Sequence, residues 1–125
     1  MQDRDEIKTN FQKGLYAGIA ELLLLGVVSR AKSRIYGYQI AKLVEIENEG
    51  MPVIKLGTLY PILRSLEENG LLNSHVDPSI SGPPRRYYDI TPLGLEILAQ
   101  LTQTWQTTKA FVDNVLAEVI HGGQS

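Results

Sequence analysis

Residues 57–72 read GTLYPILRSLEENGLL, and their spacing decides the fold. Leu59, Ile62, Leu63 and Leu66 recur at intervals of three and four, the period of a helix with one apolar stripe. Thr58 is placed to cap that helix, Pro61 falls in its first turn, and Gly70 closes it. Thr58, Tyr60, Pro61, Arg64 and Ser65 are left on or near the outer face. Downstream the period changes. Residues 71–77 and 85–90 read as two short strands around PSISGPP, a stretch rich in turn formers, which predicts a hairpin. Thr91 and Pro92 then offer an N-cap and a first-turn proline for a long helix running to about residue 120, before the GGQS tail.

Upstream, before the connector MPVIKL, residues 36–49 place Ile40, Leu43 and Val44 at helical spacing, with Gly50 as the stop. Residues 5–29 are helical too, and their second half, GLYAGIAELLLLGVVS, is apolar nearly all round, as a central core helix should be. The order is helix, helix, helix, hairpin, helix. The expected fold is mainly α with a small β-hairpin: a winged helix-turn-helix over residues 1–91, with its third helix free to enter a DNA major groove, followed by a C-terminal dimerisation helix and tail over 92–125.

Size and composition narrow the function classes. At 125 residues the chain is long enough for one core and too short for two. It has no cysteine, so disulfides, thiolate metal sites and cysteine nucleophiles are excluded. His75 and His121 are the only imidazoles, and no phosphate-binding loop, nucleophile elbow or metal-ligand spacing accompanies them, which argues against an enzyme and against a metal or other cofactor. The polar, acidic start is the wrong order for a secretory signal. The apolar run 15–28 is shorter than the roughly 20 residues a bilayer span needs and contains Glu21, so a cytoplasmic protein without a membrane partner is expected.

Three stretches carry a resemblance: YGYQIAKLVE at 36–45, GTLYPILRSLEENGLL at 57–72 and GPPRRYYDITPLG at 82–94. Together they resemble the PadR family of transcription regulators, from the core helix to about Trp105. The resemblance implies a repressor that binds double-stranded DNA as a homodimer. It points to Tyr38, Gln39, Lys55, Thr58 and Tyr60 as DNA-facing positions. The wing departs from the family pattern, because PSISGPPRR carries the adjacent prolines Pro83 and Pro84 where a glycine-rich basic turn is usual, and this predicts a stiffer loop.

The residues support DNA as partner on their own terms. An outer face bearing Arg64, Tyr60, Pro61 and small polar groups suits base edges and phosphates, with Arg85 and Arg86 on the hairpin as further cations. Tyr60 either reaches DNA or packs between helices. A pI of about 5.6 predicts weak non-specific binding. The positive residues Arg30, Lys32, Arg34, Lys42, Lys55, Arg64, Arg85 and Arg86 nonetheless fall apart from the acidic groups at the N-terminus, at 45–49, at Glu67 and Glu68 and on the last helix. The alternative is a winged-helix module that binds another protein, which an apolar third helix would have favoured.

On the last helix Leu98, Leu101, Trp105, Val112, Val115 and Val119 form a row at spacings of three and four, broken only by Thr108. Such a row expects a partner helix, the last or first helix of a second copy, or else it folds back on its own core. Trp105, the single tryptophan, sits among Thr102, Thr104, Gln106 and Thr108. It either fills the dimer seam or binds a planar aromatic effector, as short PadR members with a tryptophan at the matching place imply.

Overall fold

The computed structural model describes residues 3–31, 33–48, 54–78 and 82–122, with the side chains of all but 46–48, 56 and 120–122. Lys32 of the basic set, the Gly50 stop, and parts of the 51–56 connector and of the wing loop lie outside the described residues.

Helix α1 spans Arg4–Arg30. Asp3 caps it, its carboxylate accepting the Glu6 N–H at 2.8 Å, and the acidic first turn with Arg30 in the last turn complements the helix dipole. At 27 residues α1 runs one residue further at each end than the sequence reading, and by length and composition it could cross a bilayer. Its apolar end is used otherwise: Ala20, Leu24, Leu25, Val27 and Val28 are buried in the protein core. A two-residue strand, β1 (Ile35–Tyr36), leads directly into α2 (Gly37–Asn48).

Helix α3 covers Leu56–Glu68, one turn earlier than the sequence suggests. Lys55 occupies the N-cap position, and no side chain caps the helix there. Thr58 is therefore not the cap; it lies within the first turn and donates its hydroxyl to the Lys55 carbonyl at 2.9 Å. Pro61 is one turn deeper than expected, so the Gly57 carbonyl loses its helical N–H partner. The other end behaves as read. Gly70 adopts φ 78°, the Leu71 N–H reaches back to the Leu66 carbonyl and the Gly70 N–H to Glu67, each at 2.9 Å, a Schellman ending that only a left-handed residue permits cheaply.

Strands β2 (Leu72–Asp77) and β3 (Arg85–Ile90) form the hairpin, in antiparallel register with Ser74 opposite Tyr88 and His75 opposite Tyr87. The sheet has three strands, not two, in the order β1-β3-β2, because Ile35 and Tyr36 pair with Tyr88 and Tyr87. Alternation sends Tyr88 inward to the core and Arg85 and Tyr87 to the opposite face. Leu24, Leu25, Ile40, Leu59, Leu63, Leu66 and Leu72 are fully buried where α1, α2, α3 and the sheet meet. Helix α4 (Pro92–Gly122) starts as the sequence suggests. The Thr91 hydroxyl accepts the Gly94 N–H at 2.9 Å and donates to the Gly70 carbonyl at 2.7 Å, tying the start of α4 to the end of α3.

Candidate nucleic-acid interface

The buried stripe of α3 leaves Gly57, Thr58, Tyr60, Pro61, Arg64 and Glu68 exposed on one arc. Tyr60 forms the edge nearest the wing. Its ring occupies the space above Gly37, where a Cβ would stand 2.7 Å from Tyr60 Cε1, so the glycine that opens α2 seats this tyrosine. Tyr60 thus packs between helices on one side and stays partly exposed on the other.

Between the start of α2, Tyr60 and the wing lies an open cleft of about 520 Å3, lined by Tyr36, Tyr38, Pro83, Pro84, Arg85 and Arg86. Both wing arginines are held by specific contacts. The Arg85 guanidinium lies over the Tyr36 ring, 4.6 Å from its centre, a cation–π contact that fixes its direction. Arg86 donates to Ser74 Oγ at 2.8 Å, and Ser74 donates in turn to the Glu67 carboxylate of α3. The acidic groups are consequently not all apart from the basic ones: Glu67 sits behind Arg86, and Glu68 shares the exposed arc with Arg64.

Burial pushes the Tyr88 hydroxyl above its usual 10.0, with Glu67 and Tyr60 adding to the shift and Arg86 and Arg64 opposing it. Lys42 lies 3.6 Å from Glu45 and 5.6 Å from the Tyr38 ring centre; Glu45 foremost, then Tyr38, holds it above the usual lysine value. It therefore stays charged at any physiological pH. Gln39 is partly committed, because its side-chain oxygen accepts the Tyr36 N–H at 3.1 Å at the start of α2; its amide hydrogens remain available.

The sequence-selected residues fall into three places. Tyr38, Tyr60, Arg85 and Arg86 surround the cleft. Lys55, Thr58 and Pro61 lie along the other edge of α3, beside α1. Arg64 is exposed on the arc between those edges. An exposed helix face of this width, with fixed guanidinium groups along one edge and Lys55 at the other, can lie in a major groove while the cations meet phosphates on either side. Sequence reasoning missed the positioning roles of Gly37, which seats the exposed Tyr60, and of Ser74 and Glu67, which hold the exposed Arg86 from behind.

On α4, Leu98 and Leu101 pack against the chain's own core, whereas Val112, Val115 and Val119 are exposed together with Phe111 and Leu116, which the row did not include. Helix α1 carries a second exposed apolar line, Ile7, Phe11 and Leu15. Trp105 is 38% exposed and borders a groove of about 440 Å3 between α1 and α4, with Leu22, Gly26, Leu98 and Thr102 in its walls. Among the described residues, no group of three His, Asp or Glu side chains is placed to hold a metal ion.

Residues 24–100 match the Transcriptional regulator PadR-like family. A PadR family transcriptional regulator from Eggerthella lenta has a similar structure, with a TM-score of 0.73 and 33% identity over 90% of this chain and 94% of that one. A transcriptional regulator from Clostridium thermocellum gives 0.71 and 30% identity over 81% and 96%. A PadR-like regulator from Bacillus cereus gives 0.67 and 29% over 82% and 96%.

Proposed function

The chain belongs to the PadR-like family of transcriptional regulators, DNA-binding proteins and not enzymes, and on that premise we propose that it is a homodimeric repressor that binds an inverted-repeat operator and is released by a small molecule. The observation that carries the proposal is the exposed arc of α3 with Arg64 at its centre and the wing arginines held beside it. In this reading residues 1–91 form the DNA-binding unit and residues 92–125 the dimerisation helix and tail, working in the cytoplasm. Arg64 reads a base edge or phosphate in the major groove, and Arg85 and Arg86 meet the backbone, with Tyr38, Gln39, Lys55, Thr58, Tyr60 and Pro61 completing the contact surface. The exposed apolar residues of distal α4 and of α1 are what a second copy would cover. Two-fold symmetry then requires half-sites about one helical turn, or a multiple, apart. The groove beside Trp105 suits a planar aromatic effector in size and in its few polar groups.

Binding to duplex DNA across a salt series tests the proposal. Each phosphate contact contributes about −0.9 to the slope of log K against log salt, so a steep slope is expected of the native protein. An Arg64, Arg85, Arg86 triple alanine variant should lose operator binding. Unchanged affinity in that variant, or a flat salt slope with the native protein, would mean that this surface meets another protein and not DNA.

A further inference from the structure

The outer face of the wing sheet, turned away from the core, carries a row of rings that the function proposed above does not use. Tyr36, Tyr87 and His75 lie side by side across β1, β3 and β2. The Tyr36 ring meets the Tyr87 ring edge-on at 5.5 Å, and the His75 ring stacks on Tyr87 at 5.8 Å with 16° between their planes. Arg34, the residue before β1, reaches over this row. Its guanidinium lies 5.7 Å from the centre of the Tyr87 ring and donates to His75 Nε2, the nearer ring nitrogen, with Nδ1 at 3.4 Å. A guanidinium can only donate, so this contact requires a neutral imidazole with its proton on Nδ1.

The same nitrogen also faces an acid. Asp77 Oδ1, two residues along β2, stands 3.7 Å from Nε2. Nε2 therefore lies between a donor and an acceptor and can serve one at a time. Neutral, it accepts from Arg34; protonated, it can only donate, so Asp77 becomes its partner and the guanidinium a like charge beside it. By strand alternation Arg85 and Asp89 of β3 share this face, opposite Asp77 and Asn73. The charges of Arg34, Arg85, Asp77 and Asp89 cancel, so the proton on His75 decides whether the face is neutral or positive. Imidazole is the side chain whose ordinary titration falls between about pH 5 and 8.

We propose that His75 is a proton-operated latch on Arg34: neutral, it holds the guanidinium on the wing; protonated, it turns to Asp77 and releases Arg34 to a DNA phosphate. Arg34 also borders a groove of about 430 Å3 at the start of α2, with Ser33, Tyr38, Gln39 and Lys42 around it. Tyr38 and Gln39 belong to the proposed DNA-contact set, and Lys42 is kept charged by Glu45. A phosphate lying there meets Lys42 at any physiological pH and gains a second cation only once Arg34 is let go. This last step, the coupling to DNA, rests on the function proposed above.

NMR of the full chain without DNA tests the latch. Between about pH 8 and pH 6 the His75 ring signals and the Arg34 Nε–Hε signal should move together with one midpoint. His75→Gln, whose side-chain oxygen still accepts but takes up no proton, should leave the Arg34 signal unmoved and the melting temperature at pH 8 unchanged. Fluorescence anisotropy with a mixed-sequence duplex tests the coupling. Affinity in about 0.1 M salt should rise roughly three- to tenfold from pH 8 to pH 6, with a salt slope steeper by about 0.9, the share of one phosphate contact. His75→Gln should show none of this rise, which also separates His75 from His121, the other imidazole of the chain. Arg34→Ala should lose the rise although His75 still titrates. An Arg34 signal that ignores the titration of His75 overturns the latch. A rise that survives Arg34→Ala overturns the release of Arg34 and assigns the effect to the charge of the imidazolium itself. Should the protein fail to bind DNA at any pH, the earlier proposal falls, while the NMR titrations still decide the latch.

Discussion

Gly94→Ala should destabilise the protein although it places the better helix former inside a helix. Gly94 is buried in the first turn of α4, and a Cβ there would collide with the Leu71 carbonyl oxygen and stand 2.6 Å from Ile90 Cγ1. Neither neighbour is free to yield. The Leu71 carbonyl accepts the Thr91 N–H at 3.1 Å, and Leu71 itself is fixed by the Schellman ending of α3; Ile90 is the last residue of β3. Overpacking against such a site costs about 1–3 kcal/mol, and loss of the Leu71–Thr91 hydrogen bond adds about 1. The alanine returns about 1 kcal/mol of helix propensity, leaving a net loss of about 1–3 kcal/mol. For a chain of this size that lowers the melting temperature by roughly 4 °C per kcal/mol, hence by about 4–12 °C. Gly14→Ala is the matched control, because nothing lies within 4 Å of its Cβ position in α1; it should gain about 0.5–1 kcal/mol. Urea and thermal melts of the two variants decide the matter. A Gly94→Ala protein as stable as the native one would refute the reasoning that α4 is pressed onto the Leu71 backbone.

Arg64→Ala should cost about 1–3 kcal/mol of operator affinity and relax specificity at one position, whereas Arg85→Ala or Arg86→Ala should weaken all sequences alike and flatten the salt slope by about 1 unit, both readable by fluorescence anisotropy. Ser74→Ala should reduce DNA affinity by freeing Arg86, and the loss should vanish in an Arg86→Ala background; additive losses would show that Ser74 does not position the arginine. Val115→Asp, at an exposed site on α4, should leave the melting behaviour of the protomer intact and yield a 13.9 kDa species in sedimentation, against a dimer for the native chain. Tyr88 keeps its proton more tightly when folded, so its contribution to stability is complete below pH 10, its ordinary value, and is lost as the pH rises through the higher folded value. Tyr88→Phe should therefore flatten the alkaline limb of a stability–pH curve measured above pH 10, and an unchanged limb would assign that loss to other groups.

What was legible in the sequence was local. The apolar stripe of α3, the Gly70 stop and the Thr91–Pro92 start were all readable because each depends on residues within one or two turns. The start of α3 was not, since Lys55 offers no capping side chain and the preference of threonine for caps drew the boundary to Thr58. Strand β1 was hidden because two residues adjoining a helix carry no alternation, and Ile35 and Tyr36 become a strand only when β3 arrives beside them. In the candidate site the exposed cations were visible and their settings were not. Ser74 meets Arg86 across twelve residues of chain and Glu67 across seven, and Gly37 meets Tyr60 between two helices. Leu98 and Leu101 belonged to the same row as Val115, and only the packing separates the part of α4 that serves its own core from the part that does not.

Helix α4 is thereby a cantilever. Its root, from Pro92 to Leu101, is clamped on the core, and the remaining 21 residues extend about 30 Å beyond the clamp with only exposed side chains described along residues 103–119. A tilt of about 10° at the clamp displaces the free end by about 5 Å, since arc length is angle times a radius set by the 1.5 Å rise per residue. If the free ends are joined, the motion runs the other way, and the same tilt swings each reading head across a distance comparable to one or two base-pair steps. Trp105 sits one turn past the clamp, close to the fulcrum, where a small displacement has the largest mechanical gain.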